Sequence, residues 1–101
     1  MNYTKNLESG ICRVSMKGKF TFSDHQSYKE LFDVFSDAKI EKLEINISEV
    51  DFIDSAALGL LLLTRDEAEK YSKKLVLVSP QGQVKKMFDI SRFYELFEIK
   101  G

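Results

Sequence analysis

The 101-residue chain has one cysteine, one histidine and no apolar run long enough to cross a bilayer. Cys12 has no partner for an internal disulfide, and its place in the alternation Cys12, Val14, Met16 reads as a small buried hydrophobe rather than a reactive thiol. With His25 the only histidine and no residue pair at metal-ligand spacing, the sequence argues against a structural zinc site or a histidine-based triad within one chain. Gly10, Gly18, Gly59, Gly82 and Gly101 are scattered, without the spacing of a P-loop or a dinucleotide fingerprint. Neither the segment Met1 to Lys5 nor the leucine-rich stretch Leu58 to Leu63 could span a membrane, so the expectation is a soluble, cytoplasmic protein. Fifteen basic and sixteen acidic residues leave a net charge of -1, which offers no general attraction to nucleic acid. The mixed charges of Arg65-Asp66-Glu67, Glu69-Lys70 and Lys73-Lys74 read as a solvated surface.

What is present is an alternation of extended and helical segments over residues 1–101, without linker, low-complexity tract or repeat, and it reads as one domain. A chain of this length typically buries roughly 65% of its unfolded surface, enough for one core without staples. Residues 3–8 and 11–17 read as a strand pair around Ser9-Gly10, with Gly18 and Lys19-Phe20-Thr21-Phe22 forming the loop beyond it. Ser23 then starts a helix, with Gln26 at capping-box spacing and Tyr28, Leu31, Phe32 and Phe35 as its core stripe. Leu43-Glu44-Ile45-Asn46-Ile47-Ser48 alternates as a half-buried strand does, and Val50, Phe52 and Ile53 lead from it to Asp54. A helix over about 55–72 follows, its first half deeply buried and its second half turning Ala68 and Tyr71 inward. Leu75 to Val78 reads as a central parallel strand, Ser79-Pro80 as the start of a helix with Val84, Met87 and Phe88 inward, and Phe97-Glu98-Ile99 as a last strand. The core expected from these patterns joins Tyr28, Leu31, Phe32, Phe35, Leu43, Ile45, Ile47, Leu58, Leu61, Leu62, Val76, Val78, Val84 and Phe88, with Lys73 and Lys74 exposed. Helices between single strands imply parallel crossovers, so the sheet is expected to be parallel apart from its antiparallel N-terminal pair, in an α/β or α+β sandwich.

The most informative stretch is Asp54-Ser55-Ala56-Ala57-Leu58-Gly59, at the entry to the apolar helix. Backbone N–H groups there lack intrahelical partners, so Asp54 or Ser55 can cap them, and a phosphate would meet the positive end of the helix dipole. On spacing alone Ser55 is a capping residue. A serine nucleophile would need a neighbouring base, oxyanion donors and usually a Gly-x-Ser-x-Gly elbow, and Ser55 has no such frame. A phosphate-accepting Asp54 would need Mg²⁺ held by carboxylates at neighbouring strand ends, whereas Cys12 to Met16, Phe20-Thr21 and Ser79 offer none. Catalysis by this chain is not indicated.

Asp54 to Gly59 resembles the Asp-Ser-(Ser/Thr)-Gly-Leu-Gly motif of STAS domains, the family of anti-sigma factor antagonists and of cytoplasmic domains on sulfate transporters. The resemblance extends to Gly18, to Ser79-Pro80 before Val84-Lys85-Lys86-Met87-Phe88, and to Ile90-Ser91 with Leu96-Phe97, so it covers nearly the whole chain. It implies a mixed β-sheet of four to five strands with helices mainly packed on one face. It also implies a non-enzymatic binding module of partner-switching type. Unphosphorylated, it binds an anti-sigma factor that is also an ATP-dependent serine kinase and releases that protein's client. Phosphorylation ends the complex, and a metal-dependent serine phosphatase resets it. On this resemblance Ser55 is the phosphoacceptor, Asp54 shapes the helix entry, and Ala56, Ala57, Leu58 and Gly59 lie in or behind the contacting surface. ATP and Mg²⁺ belong to the partners, this chain needs no cofactor, and a monomer or weak dimer is expected. Two departures bear on partner choice. Ala56-Ala57 replaces the usual hydroxyl-glycine pair, and Thr21 stands where many antagonists carry an aspartate at the kinase contact. Single-domain relatives with the Asp-Ser-x-Ala-Leu-Gly form serve switches controlling motility, attachment or biofilm formation, which leaves the output open. The rival reading is a STAS scaffold that assembles with itself or a larger sensor.

Overall fold

Ser9 and Gly10 both have positive φ, 51° and 81°, as a two-residue type I′ hairpin turn requires, and they join β1 (Asn2–Glu8) to an antiparallel β2 (Ile11–Phe20). The computed structural model describes residues 1–101. A 3-10 turn (Phe22–Asp24), α1 (His25–Lys29) and a 3-10 segment (Glu30–Ser36) lead to β3 (Lys42–Ile53). Then come α2 (Ser55–Lys70), β4 (Lys74–Val78), α3 (Gly82–Ile90), a 3-10 turn (Phe93–Glu95) and β5 (Glu98–Lys100). The five strands lie in sequence order, and every pair after the first is parallel. Strands that advance one way across a sheet through right-handed crossovers place all their connecting helices on the same face. The expected mixed sheet with helices on one face is therefore what the chain forms.

Burial follows this one-sidedness. Cys12, Val14 and Met16 of β2, Leu43, Ile45 and Ile47 of β3 and Leu77 of β4 are buried under the helices. Burial pushes the Cys12 thiol above its ordinary pKa, against the opposing charge of Lys5. The other face carries Arg13, Ser15, Lys42, Glu44 and Asn46, with Glu44 within 3.7 Å of Arg13 and 3.4 Å of Lys42. Val76 is fully buried on this open face, outside the main core, flanked in register by Glu44 and Glu98.

Several sequence expectations shift. β2 continues to Phe20 because Gly18, at φ 88°, lies between two register irregularities, after which the strand resumes pairing with Val50 to Ile53. The first helix is not a uniform α-helix begun by Ser23. Its entry is at Thr21, whose amide donates to Asp24 Oδ2 at 2.9 Å, and Glu30 to Ser36 is 3-10. A three-residue period aligns Tyr28, Leu31 and Val34, which explains why Val34 is buried and Phe32 only half-buried. On α2, Leu58, Leu60 and Leu61 face inward, while Leu62 (37% exposed) and Leu63 do not, and Tyr71, the residue after its last turn, is exposed as well. Val78 and Lys73 are half-buried, and the Lys73 ammonium donates to the Ile40 carbonyl at 2.5 Å. Lys74 is exposed as expected. Pro80 is buried in the loop before α3, which starts at Gly82 after an N-cap at Gln81.

Tyr28 and Thr64 tie α1 to α2 through a buried hydroxyl pair, and Thr64 Oγ1 also donates to the Leu60 carbonyl at 2.8 Å. Burial drives the Tyr28 hydroxyl above its ordinary pKa, only partly opposed by the Thr64 hydrogen bond. Aromatic rings extend the core on both sides: Phe20 lies 4.9 Å from Tyr28, and Phe93 lies 4.9 Å from both Phe88 and Phe97. Leu61→Ala should lower stability by about 2–5 kcal/mol, because Leu61 is fully buried. Leu63→Ala, at a position 46% exposed, should stay within about 0.5 kcal/mol. Urea unfolding of the two variants checks the facing of α2, and equal losses would contradict it.

Candidate functional site

Asp54, between the end of β3 and the first turn of α2, accepts hydrogen bonds on both carboxylate oxygens. Oδ1 takes the Ala57 amide at 2.8 Å and Oδ2 the Phe22 amide at 3.1 Å. The first bond is an N-cap, and a carboxylate there also complements the helix dipole. The second pins the 3-10 turn after β2 against the start of α2. The Asp54 amide, in turn, donates to the Phe20 carbonyl at 3.3 Å. One residue thus joins the ends of β2 and β3 to the helix.

Because Asp54 supplies the cap, Ser55 is relieved of that role and stands exposed at the first helical position. The first intrahelical bond runs from the Leu58 amide to the Asp54 carbonyl. The amides of Ser55 and Ala56 therefore lack intrahelical partners and lie at the positive end of α2. Ala56 and Gly59 are half-exposed beside Ser55, whereas Ala57 and Leu58 are buried behind it. A Cβ built on Gly59 would meet nothing within 4 Å, so the helix backbone is bare one turn below Ser55. Thr21 is half-buried, with its hydroxyl 2.9 Å from that of Ser23, and it joins this region through its neighbour Phe22.

Phe22 and Gln83 carried no signal in the sequence, and Asp24 carried one in its capping-box spacing from Thr21. Phe22 is 61% exposed and stacks on His25 with ring centroids 4.7 Å apart, which sets a flat aromatic surface beside the helix entry. The His25 Nδ1–H donates to the Phe22 carbonyl at 2.9 Å. Asp24 receives the Met1 ammonium at 2.8 Å as well as the Thr21 amide. Burial alone would raise the pKa of its carboxyl, but these two donors outweigh burial and hold it below the usual carboxylate range. Gln83 of α3 bonds the backbone of Ile53, next to Asp54, at both its donor and its acceptor.

The surface clefts lie elsewhere: at the β1–β2 turn, between α2 and β5, and over Ser15 and Asn46. No group of three or more His, Cys, Asp or Glu side chains gathers to hold a metal, and no helix is long and apolar enough to cross a membrane. The site is an exposed hydroxyl at a capped helix start rather than a pocket.

The sequence model of the STAS domain matches residues 3–101. The chain is 29% identical to the STAS-domain containing protein PA14_20770 of Pseudomonas aeruginosa (strain UCBPP-PA14) over 86 residues, 85% of this chain and 84% of that one. The crystal structure of an anti-sigma factor antagonist from Mycobacterium paratuberculosis superposes with a TM-score of 0.85 at 18% identity, covering 98% of this chain and 84% of the other. The phosphorylated form of the Bacillus cell fate determinant SpoIIAA superposes at 0.69 and 17% identity, covering 97% and 90%.

The two bonds of Asp54 can be separated. Asp54→Ala should cost about 0.5–2 kcal/mol through loss of the cap. Asp54→Asn keeps one acceptor oxygen, so it should preserve protection of the Ala57 amide while Phe22 loses its partner. Amide exchange at Ala57 and Phe22 in the two variants checks this, and unchanged Phe22 exchange in Asp54→Asn would show that the second bond holds nothing.

Proposed function

The chain belongs to the STAS domain family, and from that premise we propose that it is a phosphorylation-controlled binding module of the anti-sigma factor antagonist type. Unphosphorylated, it sequesters an anti-sigma factor with serine-kinase activity, or an analogous partner, and so frees the client regulator. Ser55 is the phosphoacceptor, and a serine phosphatase restores the binding form. The work is done in the cytoplasm, on a partner that brings its own ATP and Mg²⁺. The observation that carries this reading is the division of labour at the helix entry, where Asp54 caps and Ser55 stays exposed.

The physical logic favours a switch in binding over a switch in fold. A phosphate adds about 1.5 to 2 negative charges and three acceptor oxygens. The Ser55 and Ala56 amides and the helix dipole receive that charge favourably, so the phosphorylated domain keeps its fold. A partner that covers Ser55 must instead strip water from a dianion lying beside the Asp54 carboxylate, and binding is lost. Thr21, Ala56, Ala57, Leu58 and Gly59 support or border the contact, with Ala57 and Leu58 acting from behind.

The protein copurified with its kinase should take up one phosphate on addition of ATP and Mg²⁺, and Ser55→Ala should abolish the uptake while keeping partner affinity. Ser55→Asp should weaken binding less than phosphate does, since it has less charge and shorter reach. Calorimetry against the partner and thermal unfolding of all four forms test this. Phosphate mapped to Ser79 or Ser91, tighter binding by the phosphoprotein, or unfolding on phosphorylation would each reject the reading. Solution mass adds a further arm, because a stable high-order assembly of the purified protein would indicate a scaffold.

A further inference from the structure

β3 outruns its neighbour. Its pairing with β4 ends at Asn46 and Val78, so the stretch from Ile47 to Ile53 has no strand on that side, although β2 accompanies it to Ile53 on the other. Backbone amides of a strand point alternately to its two sides. Accordingly the Asp54 amide faces β2 and reaches the Phe20 carbonyl, while the N–H and C=O of Ile53 face the side where β4 has ended. There the carboxamide of Gln83, at the second residue of α3, takes the place of a strand. Its Oε1 accepts the Ile53 amide at 2.9 Å and its Nε2 donates to the Ile53 carbonyl at 3.0 Å. A primary amide presents a coplanar donor and acceptor side by side, so this one side chain satisfies both the N–H and the C=O of Ile53 where no strand is left to do so. Gln83 is half-buried, and without it both Ile53 groups would face the helix unpaired.

We infer that Gln83 is a positioning residue for the switch: by closing the open side of β3 at its last residue, it fixes the direction in which Asp54 and Ser55 enter α2. This rests on the reading of Ser55 as phosphoacceptor. Two opposed anchors, Phe20 on Asp54 and Gln83 on Ile53, hold consecutive residues from opposite sides of the strand, and Ser55 follows directly. With one anchor removed the strand end can pivot about the other. The Asp54 carboxylate then loses its fixed reach to the Ala57 and Phe22 amides, and the Ser55 hydroxyl loses its fixed presentation.

The test compares Gln83→Met, which keeps length and packing but removes both bonds, with Met87→Ala, which removes packing from the same helix and leaves both bonds to Ile53 in place. In Gln83→Met, amide exchange at Ile53 and Ala57 should accelerate about tenfold while the core amides of Ile45 and Leu77 keep their rates. Phosphorylation of Ser55 by the copurified kinase should lose several-fold in kcat/KM. Met87→Ala should lower the unfolding midpoint at least as much, yet leave both local exchange and phosphorylation at wild-type values. Unchanged Ile53 and Ala57 exchange in Gln83→Met, acceleration shared by every core amide, or unchanged phosphorylation despite local loosening would each overturn the inference. If wild type accepts no phosphate at Ser55, the functional reading fails and the inferred role in the switch fails with it. The exchange measurements then still decide whether Gln83 holds the strand end, so the two failures are distinguishable.

Discussion

A single carboxylate decides the shape of the candidate site. Asp54 Oδ1 caps α2 and Oδ2 holds the Phe22 amide, so two neutral donors from distant parts of the chain share one anion. Hydrogen bonds to an ionised acceptor are stronger than neutral ones, and both here lie at a helix N-terminus, where negative charge is already favoured. The arrangement also fixes what a phosphate on Ser55 would meet. The helix end contributes about 0.3–1 kcal/mol of attraction to each nearby negative charge, and repulsion from a carboxylate about 4 Å away in water is of similar size. On the proposed reading these terms would nearly offset each other in the free protein, which would retain its fold. They would cease to offset once the proposed partner removed the water and raised the cost of two adjacent anions.

The sheet was readable because its cause is local. Leu43, Ile45 and Ile47 alternate with Glu44, Asn46 and Ser48, and that period of two assigns one face to the core and the other to solvent without reference to the rest of the chain. The facing of α2 was not readable in the same way. Leu58, Leu60, Leu61, Leu62 and Leu63 cover more of the helix circumference than one buried stripe needs, so composition could not say that Leu62 and Leu63 turn outward. The segment after α1 shows the converse problem. A stripe at 28, 31, 32 and 35 fits an α-helix, but the chain winds more tightly there and substitutes Val34 for Phe32 in the buried set. Lys73 is drawn partly inward by the Ile40 carbonyl, a partner 33 residues away that no local pattern discloses.

The site divides along the same line. The Asp54-Ser55 motif is contiguous and was visible at once, including the alternative that either residue could cap; the geometry settles that alternative in favour of Asp54. Phe22 and Gln83 were invisible because each acts through a tertiary contact, whereas Thr21 and Asp24 stand at a capping-box spacing that the sequence does show, and only the bond of Asp24 to the Met1 ammonium is long-range. Glutamine one residue into a helix carries no periodic or capping signal, and the vacancy that Gln83 fills exists only because β4 is shorter than β3.

The two alanines that depart from the family motif affect the site unequally. Ala57 is fully buried, so its extra Cβ adds to the core and does not stand between the backbone and a partner. Ala56 is half-exposed, and there the change removes a hydroxyl beside Ser55, leaving Ser55 as the one hydroxyl in the first turn of α2. Gly59 supports the proposed contact from a different direction. Glycine within a helix costs about 1 kcal/mol relative to alanine, and nothing within this chain would collide with a Cβ at that position. The fold therefore gains nothing from a glycine there. Placed one turn from Ser55, it leaves helix backbone open to close approach where the proposed partner would have to sense whether the serine carries a phosphate.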